Sequence, residues 1–256
     1  MLEGKLEQAA LFKKVVDAAR ELVQDCNIDC SENGLALQAM DSSHVSLVSL
    51  LLSAEGFSEY RCDRNITLGI NLNSLTKILR CGANEDVLTL EADDSPDSLT
   101  IRFENTQQDR MSEYALKLMD IDQEHLGIPE TDFSVTITMP SAEFQRICRD
   151  MQQISESLTI EASKDGVKFS CEGDIGTGAV TLRSSNNMDK PELSTIIDLS
   201  EPVSLTLSTK YLLNFCKATG LSNQVTLKMV DERPMLVEYP MTSGYLRFFL
   251  APKLDE

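Results

Sequence analysis

Apolar side chains recur three and four residues apart in four stretches, which predicts helices over 9–23, 72–82, 141–154 and 209–219. Leu72, Leu75 and Leu79 mark the inward stripe of one helix, and Phe144, Ile147, Cys148 and Met151 that of another. Elsewhere the period shortens to two, in runs such as Ser46 to Leu52 and Ser98 to Phe103, and these are expected to be half-buried strands. No apolar run approaches the about 20 residues a membrane span requires, and the first residues lack a secretory leader pattern, so a soluble intracellular protein with no membrane partner is expected.

The pattern repeats within the chain. Ser31 to Leu37 (SENGLAL) aligns with Ser163 to Phe169 (SKDGVKF) at an offset of 132 residues, and the helical LFKKVVDAARELV meets EFQRICRDMQQI at the same offset. Further on, Leu68, Ile70, Leu75, Ile78 and Arg80 fall on Leu205, Leu207, Leu212, Phe215 and Lys217 at offset 137, a drift of five that one longer loop accounts for. The fold class is read as α+β: two tandem similar domains, each with two helices packed on antiparallel sheet. The boundaries are set at 1–118 and 135–256. Between them, 119–134 (MDIDQEHLGIPETDFS) carries five carboxylates, no Lys or Arg, and a Gly and a Pro, as a connecting loop would. Its Leu126, Ile128 and Pro129 either pack back onto a domain or meet a partner.

Charge alters this picture. A formal net charge of −18 argues at face value against nucleic acid. Yet the predicted helices hold nine basic residues against four acidic ones, while the rest of the chain holds 14 against 37. Lys13 and Arg20 share a helical face, as do Lys77 and Arg80, Arg146 and Arg149, and Lys210 and Lys217. Helices side by side would form a positive surface able to track phosphates without reading bases. No aromatics interleave with these cations, so duplex is favoured over single strands.

Candidate chemistry is sparse. The seven cysteines are scattered, without a CxxC pair, and are read as reduced buried thiols. Only two histidines occur, and no cofactor or metal is expected. Asp41, Ser42, Ser43 and His44 supply the residue types of a nucleophilic triad, but neighbours in sequence diverge in direction and no G-x-S-x-G elbow is present. Neither a G-x-x-x-x-G-K-[ST] nor a G-x-G-x-x-G loop occurs, so nucleotide hydrolysis lacks its phosphate cradle. An enzyme is not expected.

GLALQAMDSSHVSLVSLLLSAEGF (Gly34 to Phe57) and RCDRNITLGINLNSLTKIL (Arg61 to Leu79) resemble the signature stretches of the proliferating cell nuclear antigen family, the eukaryotic DNA sliding clamps, with a fungal or similar source. LGIPE at 126–130, RICRD at 146–150, KDGVKFS at 164–170 and LAPK at 250–253 extend the likeness over the whole chain. The resemblance implies the DNA clamp fold, a nuclear homotrimer of six domains, and a processivity factor for replication, repair and translesion synthesis. Implied partners are non-specific double-stranded DNA, DNA polymerases, flap endonuclease, DNA ligase and an ATP-dependent clamp loader. A subunit of a heterotrimeric checkpoint clamp is the alternative.

Carried over by position, the DNA-facing candidates are Lys13, Lys14, Arg20, Lys77, Arg80, Arg110, Arg146, Arg149, Lys210 and Lys217. The partner-motif pocket maps to Met40, His44, Val45, Leu126, Ile128, Pro129, Pro234, Phe249, Ala251 and Pro252, with Phe249 where the family commonly has Tyr. The subunit interface maps to Cys81, Arg110 and Tyr114 on one chain and Arg146, Cys148, Met151, Ile175 and Gly178 on the next. Lys164 matches the lysine that receives ubiquitin, while Gly127 replaces a lysine modified in some relatives.

Overall fold

A computed structural model describes residues 1–105, 107–122, 127–128 and 131–253. It divides into two compact units: Met1–Ser42, Val48–Gly127 and Met241–Leu246 form the first, and Ser43–Leu47, Ile128–Pro240 and Arg247–Glu256 the second. In chain order the elements are β1 (Leu2–Leu6), α1 (Ala9–Ala19), β2 (Asp25–Ser31), β3 (Gly34–Met40), β4 (Ser46–Ser53), β5 (Glu59–Cys62), β6 (Ile66–Asn71), α2 (Leu72–Leu79), β7 (Val87–Ala92), β8 (Ser98–Asn105) and β9 (Arg110–Lys117). They continue with β10 (Val135–Pro140), α3 (Ser141–Gln152), β11 (Ser157–Ser163), β12 (Gly166–Gly173), β13 (Gly176–Leu182), β14 (Ile196–Leu199), β15 (Val203–Ser208), α4 (Thr209–Phe215), β16 (Gln224–Met229), β17 (Met235–Met241) and β18 (Gly244–Leu250).

In the first unit the strands order as β5-β1-β7-β8-β9 and β6-β2-β3-β4; in the second, as β14-β10-β16-β17-β18, with β18 entering it from Arg247, and β15-β11-β12-β13. The two units share one topology, and the repeat extends to individual hydrogen bonds. The Ala9 N–H reaches Asp86 C=O at 2.8 Å, and the Ser141 N–H reaches Asn223 C=O at 2.9 Å. Leu72 donates to Gln24 at 2.8 Å, and Thr209 to Glu156 at 3.1 Å. Each partner in the second unit stands 132 or 137 residues after its counterpart, the offsets read from sequence. The SENG and SKDG turns match too. Gly34 (φ +131°) and Gly166 (φ +137°) both occupy backbone that favours glycine, and Ser31 and Ser163 accept from the Asn33 and Asp165 N–H groups.

Phe12 and Phe144, Val15 and Ile147, Leu68 and Leu205, and Leu75 and Leu212 are buried as the aligned pairs require. Four expectations are corrected. Helix α1 stops at Ala19 because the Leu22 N–H turns back to Ala19 C=O at 3.1 Å, tightening the last turn. Helix α4 passes into a 3₁₀ segment, Cys216–Leu221. Strand β4 is closed on both faces, with Ser46 (1% exposed) and Ser49 (8%) inside, so its serines do not mark a solvent side as they would in an alternating strand. Of the seven thiols, five are buried, and burial pushes Cys26 and Cys30 up to about 12. Cys62 is half-buried and Cys81 exposed, against the expectation of uniformly buried thiols.

After β9 the first unit's chain returns to its own sheet edge, where the Met119 N–H donates to Gly69 C=O at 2.9 Å and Asn27 Nδ2 to Ile121 C=O at 3.0 Å. A Cβ on Gly69 would stand 1.8 Å from the Met119 carbonyl oxygen. Gly69→Ala is therefore expected to expel this strap and cost about 2 kcal/mol or more in unfolding free energy by denaturant titration.

Candidate nucleic-acid interface and protein-binding surfaces

Each unit builds a two-helix layer whose inward stripe is apolar and whose outer side is basic. In α2, Leu72, Leu75, Thr76 and Leu79 are buried, leaving Lys77 and Arg80 exposed on the other side. Asn71 caps the helix by accepting from the Ser74 N–H at 2.9 Å. Helix α3 buries Ser141, Phe144, Ile147, Cys148 and Met151 and exposes Arg146 and Arg149. Lys210 on α4 and Lys217 in the following 3₁₀ turn are exposed.

Not every sequence candidate offers its charge equally. Lys13 is half-buried and donates from Nζ to Gly82 C=O at 2.5 Å, tying α1 to the turn after α2. Arg20 is paired with Asp17 at 3.0 Å and Glu21 at 3.9 Å, which partly neutralises it. Lys14 is exposed, and Arg146 stands 3.8 Å from Asp150 in an open pair that solvent largely screens. Arg110 is exposed at the start of β9, on a strand and not on a helix.

Strand β9 is the outermost strand of its sheet, and so is β13. β9 turns Ser112, Tyr114 and Leu116 inward and leaves its other side open, β13 alternates between exposed and half-buried positions, and Met111 (67% exposed) and Ile175 (78%) leave apolar surface on or beside them. Unpaired edges of this kind are available to a second chain. Tyr114 on β9 packs edge-on against Phe103 with ring centres 6.1 Å apart, and Cys81 is exposed. Cys148 (0% exposed) and Met151 (3%) are closed within the subunit, so their side chains are not on its exposed surface. A Cβ on Gly178 would meet Ile154 Cδ1 at 2.8 Å and Met151 Sδ at 3.2 Å, which is how those buried residues shape β13.

Of the residues assigned to the partner pocket, His44 is exposed in left-handed backbone (φ +56°), and Val45 C=O accepts from the Ala251 N–H at 3.0 Å, drawing the C-terminal segment against it. Pro234 and Ile128 are exposed, and Phe249, Ala251 and Pro252 are half-buried. Met40 closes β3 in the first unit. Leu126 and Pro129 lie outside the described residues. Pro252 and Lys253 line an open cavity of about 580 Å³ with Thr206, Asp231 and Glu232. Lys164 is exposed on the β11–β12 turn. Met111 was absent from the sequence assignment because a methionine in an alternating strand reads the same whether its side is covered or open.

A duplicated unit of paired helices on antiparallel sheets, with cations gathered on the helices of an otherwise anionic chain, defines a DNA sliding-clamp subunit. Residues 1–125 match "Proliferating cell nuclear antigen, N-terminal domain", and residues 127–254 match "Proliferating cell nuclear antigen, C-terminal domain". Over 257 aligned residues, covering 100% of this chain and 99% of the relative, it is 65% identical to the proliferating cell nuclear antigen of the fungus Chaetomium thermophilum. The chain belongs to the proliferating cell nuclear antigen family. A full-length match at this identity does not favour the checkpoint-clamp alternative.

Proposed function

We propose that this clamp holds duplex DNA through the outward cations of its four helices, Lys77, Arg80, Arg149, Lys210 and Lys217 foremost, with Lys13, Lys14, Arg20, Arg110 and Arg146 contributing weaker or shared charge. The observation that carries this reading is the sorting of charge, with basic residues on the outer sides of helices in a chain of net charge −18. Contacts of this kind bind phosphate without register and exchange readily, so the protein slides. It performs no chemical step of its own. Persistence on DNA comes from closure of the ring.

The chain is a processivity factor, working in the nucleus as a homotrimer with DNA polymerases, flap endonuclease, DNA ligase and the ATP-dependent loader. Ring closure is assigned to β9 of one subunit pairing with β13 of the next. Partner motifs are assigned to the surface of His44, Val45, Ile128, Pro234, Phe249, Ala251 and Pro252, and residues 119–134 to the connecting loop. The open placement of Lys164 suits ubiquitin transfer.

The test is topological. After loading onto nicked circular plasmid, the clamp is expected to stay bound through a salt wash that strips direct contacts, and to leave within the time of cutting once a restriction enzyme linearises the DNA. Equal retention on linear DNA with free ends would replace the ring mechanism with direct affinity.

A further inference from the structure

Strand β14 is the outermost strand of its sheet, bonded on one side to β10. The Ser200 N–H donates to Ser134 C=O at 2.9 Å, and Thr195 exchanges both main-chain bonds with Ser185, at 2.8 and 3.0 Å. Ladder alternation then points the groups of residues 196 and 198 toward β10, and those of Ile197 and Leu199 outward. Among the described residues, Ser185 takes up Thr195 on that outer edge, and no main-chain partner stands opposite Ile197 or Leu199.

The approach to this edge is shaped. Residues 185–195 form a loop closed by the Ser185–Thr195 pair and held from within: Asn187 Oδ1 accepts from the N–H groups of Asp189 and Lys190 at 3.1 and 3.0 Å, and the Asn187 N–H reaches Ser194 Oγ at 2.9 Å. Gln224 Nε2 pins the Pro191 carbonyl at 3.2 Å. This backbone carries Met188 (89% exposed) and Leu193 (50%) outward, and Ile196 (54%) follows on β14 itself. Apolar side chains on an ordered loop beside an open strand edge mark a binding surface. Asp189, Glu192, Asp198 and Glu201 are exposed in and beside this segment, against the exposed cations Lys190 and Arg183, so its net charge is acidic and the complementary surface is basic.

We infer that the outer edge of β14 receives an extended, basic segment of a protein partner, which adds as a strand against Ile197 and Leu199. Its aliphatic side chains cover Ile196, Met188 and Leu193, and a Lys or Arg lies opposite Asp198. This surface shares no residue with β9, β13 or the C-terminal segment around Ala251.

The probe is a fluorescein-labelled peptide, Lys-Val-Lys-Val-Ile-Lys, titrated against the intact clamp by fluorescence anisotropy at 0.1 M salt, with amide exchange read on the complex. Three results are expected: slowed exchange at Ile197 and Leu199, a loss of affinity of at least tenfold when the peptide is N-methylated at its two facing valines, and a similar loss in the D189K/E192K/D198K clamp. The charge-reversed clamp is checked for unchanged mass and melting, so that misfolding is separable from lost binding. The inference is overturned by equal binding of the glutamate analogue, by indifference to N-methylation, by protection confined to other elements, or by no binding at millimolar peptide.

Discussion

Ala179→Pro is expected to convert the trimer into single subunits while leaving each subunit folded. The hairpin of β12 and β13 turns through two residues, so Gly173 and Gly176 form its closing bonded pair. Alternation from that pair directs the N–H groups of Thr177, Ala179 and Thr181 away from β12, toward whatever pairs with the edge. Proline at 179 removes one outward donor and sets a ring where a neighbouring strand must approach, yet breaks no bond to β12. The Ala179 side chain is exposed, so the change leaves the core intact. A lost main-chain bond with local crowding costs about 2 kcal/mol at one joint, and three joints close the ring, so the trimer loses about 6 kcal/mol, roughly four decades in its association constant. Light scattering at micromolar concentration should report one 28.4 kDa chain where the parent gives three. Ala179→Val, which keeps the N–H, should remain trimeric. A trimeric proline variant would remove β13 from the joint.

The duplication was legible because a packed unit constrains its residues at matched positions. Phe12 and Phe144 fill the same place in two cores, and the glycines of SENG and SKDG meet the same demand of a tight turn. What the sequence concealed has equally physical causes. Met111 resembles a core residue because hydrophobicity does not record which strand lies at a sheet's edge; edge position depends on pairing across the whole unit. Ser46 and Ser49 made β4 look half-solvated, although a small hydroxyl is accommodated in a closed interior. The charge of Arg20 was counted in full, whereas pairing with Asp17 and Glu21 is a matter of rotamer and reach. Helix spacing located the cations correctly on α2 and α3 because the apolar stripe opposite them fixes their direction.

That stripe also makes the basic helices open to a clean test. Lys77→Glu, Arg80→Glu, Lys210→Glu and Lys217→Glu alter exposed side chains that form no salt bridge among the described residues, so fold and trimer should persist. Each lost phosphate contact lowers the slope of log affinity against log salt by about 1, and reversal adds repulsion at every position it touches. The combined variant, repeated around a threefold ring, is expected to shorten processive synthesis by about tenfold at 0.1 M salt, where the screening length is about 10 Å. The deficit should narrow as salt rises, because the parent then loses the same attraction. Arg64→Glu with Arg183→Glu, two exposed cations outside the helices, serves as the comparison for net charge. If that pair shortens synthesis as much per charge, the acidity of the whole chain governs the interaction and the helices hold no special place. If the helix variant alone loses processivity while still binding its polymerase off DNA, the defect lies in the grip on the duplex.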